Sequence, residues 1–141
     1  MNEPIAYFKI NVEKHMVKKN NRPVFRRPNG FPFIGKSKEL KIAENFMHIH
    51  LLSQKKLLKA IDYPIHVKFL FHFPKEVYYT KKGPISKNLP DLSNLIELPQ
   101  DALQDANIID DDHYIHSLDG SRRLVSDKFM LEILIYKYNN D

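Results

Sequence analysis

Two stretches of the sequence place carboxylates where they suit a hard divalent cation. Asp91 stands just before one apolar-periodic segment and Asp112 just before another, with Asp101, Asp110 and Asp111 close by in sequence. Magnesium takes oxygen ligands in octahedral geometry and keeps several waters, so two or three convergent carboxylates suffice to hold it beside a phosphate. An ion held in that way orients an attacking water and offsets charge on the leaving oxygen of a phosphodiester. Taken alone, the same residues also fit plain structural work, Asp91 as a helix N-cap and residues 110–112 as a solvated turn.

A phosphate also needs cations, and the charge is distributed unevenly. Residues 1–90 carry 18 Lys and Arg against 6 Asp and Glu, whereas residues 91–141 carry 4 against 11. One part therefore attracts polyanions and the other cations, although segregated charge also simply pairs across a fold. The densest basic run, 14–27, holds Lys14, Lys18, Lys19, Arg22, Arg26 and Arg27, shows no helical or strand period, and is interrupted by Pro23, so it reads as a loop or arm. A second basic stretch, 74–89, holds Lys75, Lys81, Lys82 and Lys87 with Tyr78, Tyr79 and a Gly83-Pro84 break, and reads as a long mobile loop. There Tyr79 can stack on an unpaired base while lysines hold phosphates; the alternative is that one tyrosine packs on a sheet and the other covers an edge.

The elements that must position these groups follow from hydrophobic period. Residues 4–10 read as a strand, 37–58 as a helix ended by Pro64, and 65–73 as a strand with Ile65, Val67, Phe69, Phe71 and Phe73 on one side. His66 and His72 share the other side, where such histidines are commonly hydrogen-bonded at a packed edge. A short helix is expected over 93–105 despite Pro99, then an acidic turn at 110–112, and strands near 113–118 and 128–138 separated by the Asp119-Gly120 turn. The expectation is a single α+β domain over 1–141, a mixed sheet of about four strands packed by two helices. The length supports one core without disulfides, and the absence of cysteine excludes disulfides, thiolate zinc sites and a cysteine nucleophile. No apolar run approaches the roughly 20 residues of a spanning helix and the start lacks a signal-peptide pattern, so the expected location is cytoplasmic, away from membrane.

The run Pro90-Asp91-Leu92-Ser93-Asn94-Leu95, then Asp101-Ala102-Leu103, then Ile109-Asp110-Asp111-Asp112-His113-Tyr114-Ile115, resembles the RusA family of phage-type Holliday junction resolvases. The family pattern there is Asp-Leu-Asp-Asn-Leu-x-Lys, Asp-Ala-Leu, and a paired aspartate followed by a small or polar residue, Gln and an aliphatic. The resemblance implies a magnesium-dependent endonuclease, with manganese able to substitute, that cleaves four-way DNA junctions in recombination and repair as a homodimer. It implies that Asp91 and Asp112 bind the metal, Asp111 beginning the paired aspartate. It also implies that the basic segments, Lys81, Lys82 and Lys87 among them, hold branched DNA. Two positions depart from the pattern: Ser93 stands where the family has a second aspartate, and Glu97 where it has a lysine. Ser93 and Glu97 are spaced to share a helix face, so Glu97 can stand in for the missing carboxylate with Ser93 as an outer ligand. The alternative is a catalytically impaired protein that only binds junctions.

Overall fold

The computed structural model describes residues 3–12, 24–26, 32–34, 38–56, 59–87 and 89–139. Its centre is β4 (Ile65–Pro74), whose alternation puts Ile65, Val67, Phe69, Phe71 and Phe73 into the core. Antiparallel to it runs β7 (Met130–Lys137), in register so that Ile135, Ile133 and Leu131 lie beside Val67, Phe69 and Phe71. On the far side of β7, β1 (Ala6–Ile10) adds Phe8 and Ile10 to the same buried face. Each such side chain contributes about 1.5–3 kcal/mol relative to exposure, so this one face supplies most of what holds the sheet together.

Two helices cover that face. Helix α1 (Lys38–Gln54) buries Leu40, Ala43, Met47 and Leu51, a three- and four-residue stripe, and packs on the second covering helix, residues Leu92–Asp105. The Gln54 side chain then receives the Lys9 N–H at 3.0 Å and donates to the Lys9 carbonyl at 2.9 Å, which occupies backbone groups of an edge strand. Between the helices in sequence comes a single helical turn, α2 (Lys75–Tyr78), directly after β4. Helix α3 (Leu92–Asp105) buries Leu95, Ile96, Leu98, Ala102 and Leu103, and it carries Pro99 without interruption because only one backbone bond is lost there.

Short strands complete the sheet: β5 (Ile115–Ser117) and β6 (Arg122–Ser126) both pair parallel with β4, at its beginning and its end respectively. The observed class is the expected α+β with a mixed sheet, but the sheet has five strands. Separately, β2 (Val24–Arg26), within the 14–27 stretch read as a basic loop, pairs antiparallel with β3 (Pro32–Ile34), which follows that stretch. Segment 74–89 is also more ordered than expected. After α2, Tyr79 bridges Ile85, and the turn closes through Thr80 N–H to the Pro84 carbonyl at 2.8 Å with Gly83 at φ 104°, a conformation open to glycine. Helix α1 ends at Gln54; residues 57 and 58 of the expected helix lie outside the described residues. Among the described residues no helix is long and apolar enough to cross a membrane.

Candidate functional site

Asp91 occupies the N-cap position of α3 with extended backbone, φ −62° and ψ 147°, and its carbonyl accepts the Leu95 N–H at 3.0 Å. Its side chain makes no capping hydrogen bond, so both carboxylate oxygens of this exposed residue are free of the helix end. Ser93 and Glu97 are exposed on the first turns of α3, one turn apart on the same face. Beside them, Arg123 of β6 donates from Nη1 to the Pro90 carbonyl at 3.3 Å and so brings a half-buried guanidinium to the residue preceding Asp91. The helix N-terminus adds partial positive charge at the same place.

The other acidic stretch is positioned by how α3 stops. Asn107 adopts φ 57°, a left-handed conformation that asparagine tolerates, and the Ile108 and Ile109 N–H groups turn back to the Leu103 carbonyl at 3.0 and 3.2 Å. Ile108 and Ile109 are buried, and Asp110 N–H donates to the Ile61 carbonyl at 2.8 Å, which ejects the three aspartates at the surface. Asp111 caps a 3-10 turn, Asp112–Tyr114, through Oδ1 accepting the His113 N–H at 2.9 Å. That hydrogen bond, then the His113 side chain and the neighbouring Asp112, hold the Asp111 carboxyl below the usual carboxylate range against a small opposing effect of burial. Asp112 is exposed, and its own N–H donates to Gln104 Oε1 at 3.0 Å, tying it to the last turn of α3.

Asp91 and Asp112 therefore stand at opposite ends of one helix. A helix of 14 residues spans about 21 Å at 1.5 Å per residue. The sheet provides a second ruler: Arg123, bonded beside Asp91, is in register with Phe71, whereas Ile115, which follows the 3-10 turn, is in register with Ile65. Six strand residues cover about 20 Å. An ion with ligand bonds near 2.1 Å cannot bridge such a gap. The expectation that the two carboxylates meet in one pocket of one chain is corrected accordingly, and no group of three or more His, Asp or Glu side chains among the described residues is arranged to hold a metal ion.

The cationic candidates divide between described and undescribed segments. Lys14, Lys18, Lys19, Arg22 and Arg27 lie outside the described residues, and of Arg26 only the backbone, in β2, is described. Lys81, Lys82 and Lys87 are exposed on the turn after α2. Tyr78 packs against the core while Tyr79, 37 % exposed, meets it edge to face at 4.9 Å. Tyr79, Lys75, Lys81 and Thr80 line a shallow cleft of about 550 Å3 that follows the end of β4, the Asp91 end of the sheet.

Two features were not assigned from sequence. The place of Arg123 at the head of α3 depends on β6, which has no sequence period to reveal it. On the sheet face away from α1 and α3, Glu132 accepts from Tyr7 Oη at 2.6 Å and lies 2.6 Å from His72 Nε2. Burial alone would raise the Glu132 carboxyl, but the bonds from Tyr7 and His72 hold it below its ordinary value. Burial, and then the bond to Glu132, push the Tyr7 phenol up to about 12.

An α+β domain with an acidic helix end, a clamped arginine and a lysine-rich turn is of the class that handles nucleic acid phosphates. The family model for endodeoxyribonuclease RusA matches residues 15–136. The chain belongs to the RusA family of endodeoxyribonucleases, Holliday junction resolvases that act on branched DNA. A search of curated proteins finds no match.

Proposed function

We propose that the chain is a magnesium-dependent, structure-selective endonuclease of four-way DNA junctions that works as a homodimer, each active centre joining Asp91 of one subunit to Asp112 of the partner subunit. The observation that carries this reading is the placement of the two carboxylates at opposite ends of α3. A two-fold axis across that helix reverses one copy relative to the other, so each Asp91 meets the other copy's Asp112 and two equivalent centres arise. Two such centres match a junction that itself has near two-fold symmetry.

A surface for the dimer is at hand. Ile42, Ile49 and Leu52 are 46, 54 and 46 % exposed on α1, and their spacing sets them within one outward stripe. The donor set suits magnesium, since Asp91 and Asp112 offer exposed oxygens only, with no thiolate or imidazole required. When bound, the ion supplies the charge that activates a water and offsets the leaving oxygen. The residues of this chain do the rest. Asp91 stands at the positive end of α3, next to the Pro90 carbonyl that Arg123 binds. Glu97, one turn on, adds a carboxylate through water, with Ser93 beside it, and Asp111 keeps the turn that aims Asp112. Lys75, Lys81, Lys82 and Lys87 hold phosphates of the junction arms, contacts that weaken steeply with salt.

The test is complementation between two inactive variants. Asp91→Asn and Asp112→Asn each lose cleavage of a synthetic four-way junction by more than about 100-fold, the upper range for groups that merely support metal ligands. Mixed and re-annealed, they form heterodimers in which one centre has both native aspartates, so cleavage returns to about a quarter of the wild-type rate. No recovery in heterodimers shown to form by mass would place each centre within one chain and overturn the shared site. A second reading, junction binding without cleavage, is favoured by Ser93 and Glu97 standing where the family has aspartate and lysine. Binding with no nicks from the wild-type chain in magnesium or manganese would select it.

A further inference from the structure

The sheet face turned away from α1 and α3 opens at the Asp112 end into a cleft of about 640 Å3, lined by His66, Lys68, His116, Tyr136, Lys137 and Tyr138, with Asp119 at its rim. That volume lies within the range of about 300–1,000 Å3 common to small-ligand sites. Its chemistry is flat rings and ammonium groups. Tyr136 and His66 are neighbours across β7 and β4, with ring centroids 5.6 Å apart and planes inclined by 35°. Tyr138 and His116 form a second pair at 5.2 Å. Lys68 Nζ lies 5.2 Å from the Tyr136 ring centroid, within cation–π range.

These groups are held in place. His66 Nε2 is 2.6 Å from the Asp119 carbonyl, which can only accept, so this nitrogen carries the proton and the ring is anchored to the turn. In the same turn Gly120 has φ +88°, and a Cβ there would sit 3.0 Å from Lys68 Cε. The glycine thus lets the lysine stem lie along the turn, with its charge aimed over Tyr136.

We propose that this cleft binds one unpaired nucleotide of a DNA strand, its base against Tyr136 and His66 and its phosphate on Lys68. This rests on the reading that the chain acts on branched DNA. Base-paired nucleotides present edges and no free faces, whereas the cleft offers rings and cations, which suit a base with an exposed face and its phosphate. The cleft borders β5, the strand entered from Asp112, so a nucleotide displaced at a junction crossover has a resting place at that end of the molecule.

The experiment measures binding of a short fluorescent oligothymidylate to the full chain in EDTA, where no cleavage occurs. Tyr136→Leu weakens binding about 10-fold, within the range for loss of one stacked base, and Tyr136→Phe retains it. Lys68→Met lowers the slope of log affinity against log salt by about 0.7, the value for one phosphate of a single strand. With 5-iodouracil in the oligonucleotide, photo-crosslinks map to Tyr136, Tyr138 or His116. The proposal is overturned if Tyr136→Leu stays within about twofold of wild type, or if crosslinks fall only in the 75–87 turn. It is also overturned if free thymidine monophosphate displaces the strand at micromolar concentration, since the site would then serve a free nucleotide. Strand binding at the cleft in a protein that never cuts junctions would defeat the nuclease reading alone, and junction cutting with no strand binding would defeat the cleft alone.

Discussion

The two ends of α3 hold an aspartate each by different means. At the Asp91 end the support is long-range: β6 is paired along the second half of β4, and Arg123 reaches from it to the Pro90 carbonyl. At the Asp112 end the support is local, a left-handed Asn107, two buried isoleucines and a side-chain bond from Gln104, with only three strand residues in β5 beyond. The helix adds an asymmetry, since its N-terminus favours an anion and its C-terminus a cation. The two ends complement each other in the charge they favour.

The sharpest way to break this comparison is to keep the two ends apart. Ile49→Glu puts a charge in the middle of the exposed α1 stripe. Because Ile49 is 54 % exposed, the folded single chain tolerates it within about 0.5 kcal/mol. The expected outcome is a monomer by sedimentation and loss of junction cleavage by more than about 100-fold, comparable to losing an aspartate. A monomer that cuts at the wild-type rate would show that one chain holds a whole centre and that the distance between the two ends is irrelevant to catalysis.

Much of this arrangement is legible in the sequence, and the reasons the rest is not are physical. Strict alternation over Ile65 to Phe73 and over Phe129 to Ile135 named the two central strands, because one face of each is buried. The apolar stripes of α1 and α3 were equally plain. Strand β6, Arg122-Arg123-Leu124-Val125-Ser126, escaped because its residues are exposed or half-buried at the sheet edge, so its polarity carries no period. The 75–87 segment looked like a loop because its order comes from backbone bonds across a turn and not from buried side chains. As for the site, the motif named the aspartates, but motif spacing says nothing of direction in space. One signal for their separation was available: a helix predicted over 93–105 with Asp91 before it and Asp112 after it is itself a ruler of about 20 Å.

A smaller change sharpens the contrast at the Asp91 end. Glu97 sits on the exposed face of α3 one turn beyond Ser93, and its proposed role is to add a carboxylate to the Asp91 region through water. Glu97→Gln keeps the shape and removes the charge. Cleavage should fall by about 10-fold, the low end for outer partners of a metal ligand, with junction binding unchanged. An unaltered rate in a magnesium titration would mean that Glu97 simply faces solvent and that Asp91 works without a second carboxylate at its end.

The smallest expected effect concerns the open sheet face, where the two ends differ again. The Asp112 end has the cleft, while nearer the Asp91 end the same face is closed by the Tyr7–Glu132–His72 network, Glu132 being in register with Leu70 and Arg122 aligned on the same row. The Tyr7 phenol is raised from 10.0 to about 12 in the folded chain. A raised group binds its proton more tightly when folded, so its contribution to stability is complete below pH 10 and is lost as pH climbs from 10 to about 12. Glu132 works in the opposite direction: held below 4.5, it stabilises above that pH and loses its contribution as acid protonates it. Tyr7→Phe removes the alkaline loss and part of the acid one. Thermal midpoints taken across both windows should therefore fall less steeply in the variant than in wild type, while oligothymidylate binding at the cleft stays the same. Equal slopes in the alkaline window would mean that Glu132 does not hold the phenol proton, and the closed network would then be an ordinary surface contact with no bearing on how the two ends differ.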